Sequence, residues 1–176
     1  MISTPRLLLR PWKDSDRDPF ARLNADPEVM EFLPSPLSRS ESDHLLDRIN
    51  AHLAQHGFTF FAAELRENSA FIGFIGIARP SFQAHFTPCI EVGWRLARRY
   101  WNQGLATEGA QAALRHGFEE LKLDEIVSFT TAANLRSRRV MEKIRMTHDP
   151  ADDFDHPNLP PGHALARHVL YRARAS

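Results

Sequence analysis

The sequence predicts a mixed α/β fold, and three observations carry that expectation. Short apolar runs of strand length are interspersed with longer segments whose apolar residues recur at helical spacing. Their order is strand, two helices, three strands, helix, strand, helix, strand, which is not the regular alternation of a βαβ protein. The length of 176 residues, with 43% hydrophobic and 25% charged residues, suits one globular domain, 1–176, with a single substantial core.

Each element has a local cause. Leu7, Leu8 and Leu9, between Arg6 and Arg10, read as a buried first strand closed by Pro11. Residues 14–24 form a short helix with Phe20 and Leu23 inward, followed by a turn over 27–32 and a loop at Pro34-Ser-Pro36. Ser38 and Glu41 stand at capping-box spacing, so a helix begins at Ser38. Leu45, Leu46, Ile49 and Leu53 make its buried stripe, and Gly57 ends it. Residues 58–65 and 71–78 are apolar and aromatic around the polar Arg66-Glu-Asn-Ser69, the pattern of an antiparallel hairpin. A loop over 79–88, bounded by Pro80 and Pro88, leads to a fourth strand at 90–96. A helix over 104–121 carries Leu105, Ala112, Ala113 and Phe118. Residues 125–130 form a fifth strand, 134–146 an amphipathic helix and 149–163 a long polar loop, with a last strand near 168–171.

The junction Trp101-Asn-Gln-Gly-Leu-Ala-Thr-Glu-Gly109, between the fourth strand and the helix after it, is where the residues themselves place a ligand. A tight loop opening a helix gathers unpaired backbone N–H groups and the positive end of the helix dipole, which together suit a phosphate. Gly104 takes backbone angles closed to other residues and lets an oxygen approach the main chain. Small Ala106 leaves that face open, and Thr107 can add a hydroxyl. The plainer alternative is a helix that merely starts after Asn-Gln-Gly.

Net charge is zero, so bulk electrostatics give no argument for nucleic acid or an acidic membrane as partner. The basic residues are 19 arginines and three lysines, a bias toward the planar donor fork that fits phosphate. Cys89 is the only cysteine, which points to a reducing compartment, and no apolar run approaches bilayer length. A cytoplasmic protein is expected.

Taken together, these segments resemble the GNAT N-acetyltransferase superfamily, and within it the branch of ribosomal-protein N-terminal acetyltransferases. The likeness runs from Thr4-Pro-Arg-Leu-Leu-Leu-Arg-Pro11 through Phe71-Ile-Gly-Phe-Ile-Gly76 and Ile90-Glu-Val-Gly-Trp-Arg-Leu96. Trp101 to Glu108 is similar to the superfamily's pyrophosphate loop, and Asn134-Leu-Arg-Ser-Arg-Arg-Val-Met-Glu-Lys143 to the helix beside the pantetheine arm. The chain departs from the pattern at four places. Trp101 replaces a leading basic or amide residue, and Asn102 replaces a second glycine. Met141 stands where many members place an acidic tyrosine, and Arg145 where a helix-ending glycine is usual. The resemblance implies an acyl-CoA N-acyltransferase fold whose mixed central sheet splits into a V between its fourth and fifth strands. It implies that acetyl-CoA, as cosubstrate, enters that split. Trp94, Arg95 and Leu96 would pair with the pantetheine through their backbone. Asn102, Gln103, Gly104, Leu105, Ala106 and Thr107 would hold the pyrophosphate, with Asn134, Ser137 and Met141 on the facing helix. No metal is implied.

Moving an acetyl group from a thioester to an amine needs a neutral amine, a donor for the developing oxyanion and a proton for the thiolate. No cysteine–histidine pair marks a covalent intermediate, so direct attack in a ternary complex is expected. Period-2 alternation turns Glu91 away from Ile90, Val92 and Trp94, and partial burial would raise its pKa toward that of a general base. Its alternative is a structural pair with an arginine. The branch resemblance makes Ser137 the donor to the sulfur, or only a hydrogen-bonding contact, and Asn134 an N-cap and cofactor contact. The loop from His148 to His156, with four aspartates, is expected to rim the acceptor site and favour a cation. Arg95, Arg98, Arg99, Arg136, Arg138 and Arg139 flank the cleft, some of them toward CoA phosphates. Phe82, His85 and Phe86 line the acceptor pocket or simply pack.

The amine is left open between a protein N-terminus and a small molecule, and the oligomeric state between monomer and homodimer. Two competing functions are a non-catalytic acyl-CoA-binding module and an arginine-driven nucleic-acid binder. Zero net charge disfavours the second.

Overall fold

The computed structural model describes residues 1–175. One mixed sheet runs β1 (Ile2–Ser3), β2 (Leu7–Arg10), β3 (Phe60–Leu65), β4 (Phe71–Ala78), β5 (Glu91–Leu96), β6 (Glu125–Thr131), β9 (Arg167–Arg174) and β7 (Thr147–His148). A short β8 (Phe154–Asp155) also pairs with β9. Every neighbouring pair is antiparallel except β5 and β6, which are parallel.

Helices cover both faces. The α1 (Arg17–Ala25) and α2 (Arg39–His56) helices bury Phe20, Leu23, Leu46 and Ile49 against Phe74 on one face. The α3 (Leu105–Glu119) and α4 (Leu135–Lys143) helices close the main core on the other face, with Leu105, Ala113 and Met141 against Ile75, Ile77 and Ile126. The α2 helix begins as the spacing predicts: Ser38 Oγ accepts from the Glu41 N–H, the Glu41 carboxylate accepts from the Ser38 N–H, and Gly57 closes it at φ 78°. Gly73 in β4 has φ 139°, and a Cβ there would lie 2.0 Å from the Arg95 carbonyl oxygen. A glycine is therefore required where β4 and β5 approach most closely.

The structure differs from expectation at the edges. A two-residue β1 extends the sheet, so the fourth and fifth predicted strands are β5 and β6. The helix expected over 134–146 stops at Lys143. Arg145 takes φ 62°, the Met146 N–H reaches the Met141 carbonyl and the Arg145 N–H the Glu142 carbonyl. This left-handed stop has arginine where glycine is usual, and Met146 is buried with Met141 in the core. The polar loop at 149–163 holds a 3-10 turn, Pro150–Asp152, and β8, while the last strand extends from Arg167 to Arg174.

A buried ion cluster fixes β2 against α1. Arg10, 5% exposed, meets Asp16 at 2.7 and 2.9 Å and Glu64 at 2.6 Å, with both acids under 10% exposed. Arg10→Met leaves buried Asp16 without its cation and Glu64 with only Lys13 at 3.4 Å, and is expected to cost about 3–5 kcal/mol in denaturant unfolding. A loss below about 1 kcal/mol would show that the cluster is not what anchors α1.

Candidate active site at the strand split

The parallel pair β5–β6 holds together at one point. The Val127 N–H donates to the Ile90 carbonyl at 2.8 Å, and the only register pair is Glu91 with Val127. Beyond it β5 stays on β4 as far as Leu96, while β6 follows β9 along its whole length. The two strands therefore diverge into an open V. The Ala97 N–H bonds the Ile72 carbonyl at 2.9 Å, so alternation turns the backbone of Trp94 and Leu96 away from β4 and into the opening. The Leu96 carbonyl is taken by Trp101 Nε1 at 2.7 Å. Both backbone groups of Trp94 and the N–H of Leu96 remain for a ligand. The opening is a cavity of about 420 Å³.

The 102–107 loop closes one end of this cavity. Asn102 at φ 58° and Gly104 at φ 76° both adopt left-handed angles, and together they turn the chain into α3. The first N–H groups of α3, from Leu105 to Thr107, have no intrahelical partner. Gly104, Leu105, Ala106 and Thr107 line the cavity, as does Asn102. Gln103 turns its side chain back to the Arg99 carbonyl at 2.8 Å, so only its backbone is free to serve the loop.

A clip that the sequence did not reveal holds the loop from behind. Arg6 donates to the Gln103 carbonyl at 2.8 Å and to Glu108 at 2.6 Å, while Thr4 Oγ1 donates to Glu108 at 2.6 Å. Burial opposes ionisation of Glu108, but these hydrogen bonds win and hold its carboxyl below the usual carboxylate range. Thr4 and Arg6 lie about a hundred positions from Glu108 in sequence, and no local pattern joins them to it.

On β5, Glu91, Gly93 and Arg95 share one face, on which Arg95 reaches Asn24 of α1, and Trp94 packs toward the main core. Glu91 lies at the narrow end of the opening and lines the cavity. Among the described residues no arginine pairs with it. With no compensating partner, burial pushes its carboxyl up to about 8. Arg95 reaches Asn24 and stacks over Phe74, away from the 102–107 loop. Its backbone is hydrogen-bonded across to Phe74 on β4, so the pantetheine contact expected at Arg95 is not available, and the open edge is that of Trp94 and Leu96.

On the opposite wall, Asn134 caps α4 through the Ser137 N–H at 3.2 Å and reaches Thr130 Oγ1 at 2.9 Å and Ser137 Oγ at 3.2 Å. Ser137 is half-buried and its hydroxyl can donate into the cavity. Met141 is 1% exposed, part of the main core, and forms the floor of the same wall.

Other expected neighbours are engaged elsewhere. Arg98 pairs with Glu28, Arg99 stacks on Tyr100 and Arg138 donates to the Tyr171 hydroxyl. Arg136 pairs with Glu31 and lies 4.5 Å over the Trp101 ring. Arg139 and Lys143 line the cavity and are the cations available to an anionic ligand on that wall. Phe82 and Phe86 pack with Phe154 and Phe129, and of these Phe129 alone lines the cavity. Three of the loop's four aspartates are paired within the chain, Asp152 with Arg172, Asp153 with His148 and Asp155 with Arg167, while exposed Asp149 accepts from the Ala151 N–H. Burial pushes the Cys89 thiol up to about 11, so it is a poor nucleophile near neutrality. Among the described residues no group of three His, Cys, Asp or Glu side chains is placed to hold a metal, and no helix is long and apolar enough to cross a membrane.

The family model of the acetyltransferase (GNAT) domain matches residues 6–147. The chain belongs to the GNAT acetyltransferase family. It is 32% identical over 145 residues to the uncharacterized N-acetyltransferase YnaD of Bacillus subtilis, covering 82% of this chain and 81% of that protein. It is 30% identical over 168 residues to the FsC-acetyl coenzyme A-N(2)-transacetylase of Aspergillus fumigatus, covering 92% and 71%. The crystal structure of a GNAT-family acetyltransferase from Bacillus anthracis superposes with a TM-score of 0.79 at 26% identity, over 98% of this chain and 97% of that one. The split sheet is thus the GNAT fold that the motifs imply.

Proposed function

We propose that the protein moves the acetyl group of acetyl-CoA to a primary amine by direct attack in a ternary complex. The observation that carries this reading is the V between β5 and β6, whose free backbone groups at Trp94 and Leu96 run toward the left-handed loop at the start of α3. A thioester arm fits along that edge, with its pyrophosphate against the N–H groups of 102–107 and Asn134, Ser137 and Met141 on the other wall. The relative named for acetyl coenzyme A and N(2)-transacetylation supports both donor and nitrogen acceptor.

The chain's own groups then divide the chemistry. Glu91 takes the proton of the incoming ammonium through water, which leaves a neutral nitrogen lone pair facing the carbonyl carbon. A backbone N–H at the open edge of β5 donates to the developing oxyanion. As the C–S bond breaks, Ser137 donates its hydroxyl proton to the sulfur, and the proton that the acylated nitrogen sheds restores the hydroxyl through solvent. Cys89, held as a thiol, takes no part.

Ser137→Ala is expected to lower turnover by about tenfold or more while acetyl-CoA affinity changes less, because the hydroxyl acts on the leaving sulfur. Wild-type turnover in this variant would reduce Ser137 to a contact. The proposed function itself is tested by free-thiol release from acetyl-CoA against a panel of amines. Release that depends on an amine, matched by acetylated product, is expected. Tight acetyl-CoA binding without release for any amine would instead mark a non-catalytic binding module.

A further inference from the structure

We infer that the amine acceptor carries a carboxylate some bonds away from its nitrogen, and that Arg95 reads it. This deepens the acetyltransferase reading and rests on it. Val29, Leu33 and Phe129 give the cavity apolar lining, beside the uncharged Ser128 and Thr130. Among the described residues that line the cavity, Glu91 is the one acid. A polycation needs several carboxylates for recognition, and this pocket offers one, already assigned to the proton.

On the β5 wall of the cavity Arg95 is the other charged side chain, while Arg136, Arg139 and Lys143 belong to the α4 wall. Its Nη1 donates to Asn24 Oδ1 at 2.6 Å, and its guanidinium lies 5.3 Å from the centre of the Phe74 ring. Asn24 is itself fully buried and donates to Ser42 Oγ at 2.8 Å, so the arm is held by a fixed relay. The relay is neutral. Among the described residues no carboxylate pairs with Arg95, and burial alone lowers its pKa to about 10, so it remains a cation. Buried Arg10 makes the contrast, since two carboxylates neutralise it. A guanidinium desolvated without an acid is costly unless a ligand supplies one. Among the described residues its Nε and Nη2 edge has no partner, and that edge matches the two oxygens of a carboxylate.

The spacing limits the ligand. Glu91 and Arg95 are four residues apart on one strand face, about 13 Å between Cα atoms. With water between Glu91 and the amine, a chain of several atoms separates the nitrogen from the acid. A glycine-like acceptor is too short.

The test is thiol release with three amino acids of increasing length, β-alanine, γ-aminobutyrate and ε-aminocaproate, each against its own carboxamide, with spermidine as the polycation. The acid should exceed its carboxamide in kcat/KM by about tenfold or more for at least one of the longer chains. That ratio should fall toward one in Arg95→Gln. It should also fall in Asn24→Asp, which keeps Arg95 but gives it a built-in carboxylate, so a folding defect at Arg95 cannot mimic the result. Acids no better than their carboxamides at every length, spermidine preferred over all of them, or a ratio unchanged in both variants would overturn the inference. Failure of acetyl-CoA to bind the wild-type protein would instead overturn the acetyltransferase reading on which it rests.

Discussion

Glu91→Gln is expected to reduce the rate at saturating substrates by about 10²–10⁴-fold, the range for loss of a general base. Glutamine keeps the shape of the side chain and cannot take a proton. The pH dependence carries the sharper information. Burial without a partner sets the Glu91 carboxyl at about 8, and its ionised form is the active one. Wild-type activity should therefore rise with pH through a limb centred near 8, and the variant should lose that limb. Stability should move the other way. The folded protein holds the Glu91 proton between the ordinary carboxylate pKa of 4.5 and about 8, where the unfolded chain has released it, so stability falls as pH rises through that window. The glutamine variant escapes this loss and should be at least as stable as wild type above pH 8 in denaturant unfolding. A variant that keeps both rate and limb would return Glu91 to a passive place in the sheet, and the amine would lose its proton to solvent or to the acidic loop.

What the sequence made legible was local. Ser38 with Glu41, Gly57 as a helix stop and the 71–78 run of β4 each rest on neighbours within a few residues, and each appears as expected. The same holds for the left-handed pair Asn102 and Gly104, and for the side of β5 to which Glu91 turns. Contacts between distant segments were hidden. Nothing near Arg6 announces Glu108, and nothing near Arg95 announces Asn24, because each pair forms only when separate elements dock. The acidic loop shows the opposite error. Its four aspartates looked available to a cationic acceptor, but β9 and His148 supply partners to Asp152, Asp153 and Asp155 that a linear reading cannot see. The early stop of α4 likewise depends on Met146 reaching the core, which pulls Arg145 into a conformation that its own side chain does not favour.

Gly104→Val is the second change expected to have a large effect. Space is not the obstacle, since the nearest atom to an added Cβ is Arg6 Nη2 at 3.5 Å. The obstacle is φ 76°, which a β-branched residue cannot hold without strain. Relaxing that angle rotates the peptides of 103–105 and disperses the N–H groups that would meet the pyrophosphate. Charge-assisted hydrogen bonds of this kind contribute about 1.5–3 kcal/mol each, so losing one or two should weaken acetyl-CoA binding by about tenfold to several hundredfold. Arg6 touches the altered loop through the Gln103 carbonyl, but its bond to Glu108 and that of Thr4 still hold α3, and circular dichroism and the unfolding midpoint serve as controls for folding.

Calorimetric titration of acetyl-CoA into the wild-type protein and into folded Gly104→Val tests the placement of the donor most directly. Saturable one-to-one binding to wild type, with the variant weakened by at least about tenfold, is the predicted result. Absent binding to wild type, or equal affinity in the two proteins, would contradict the assignment of the β5–β6 split as the acetyl-CoA site.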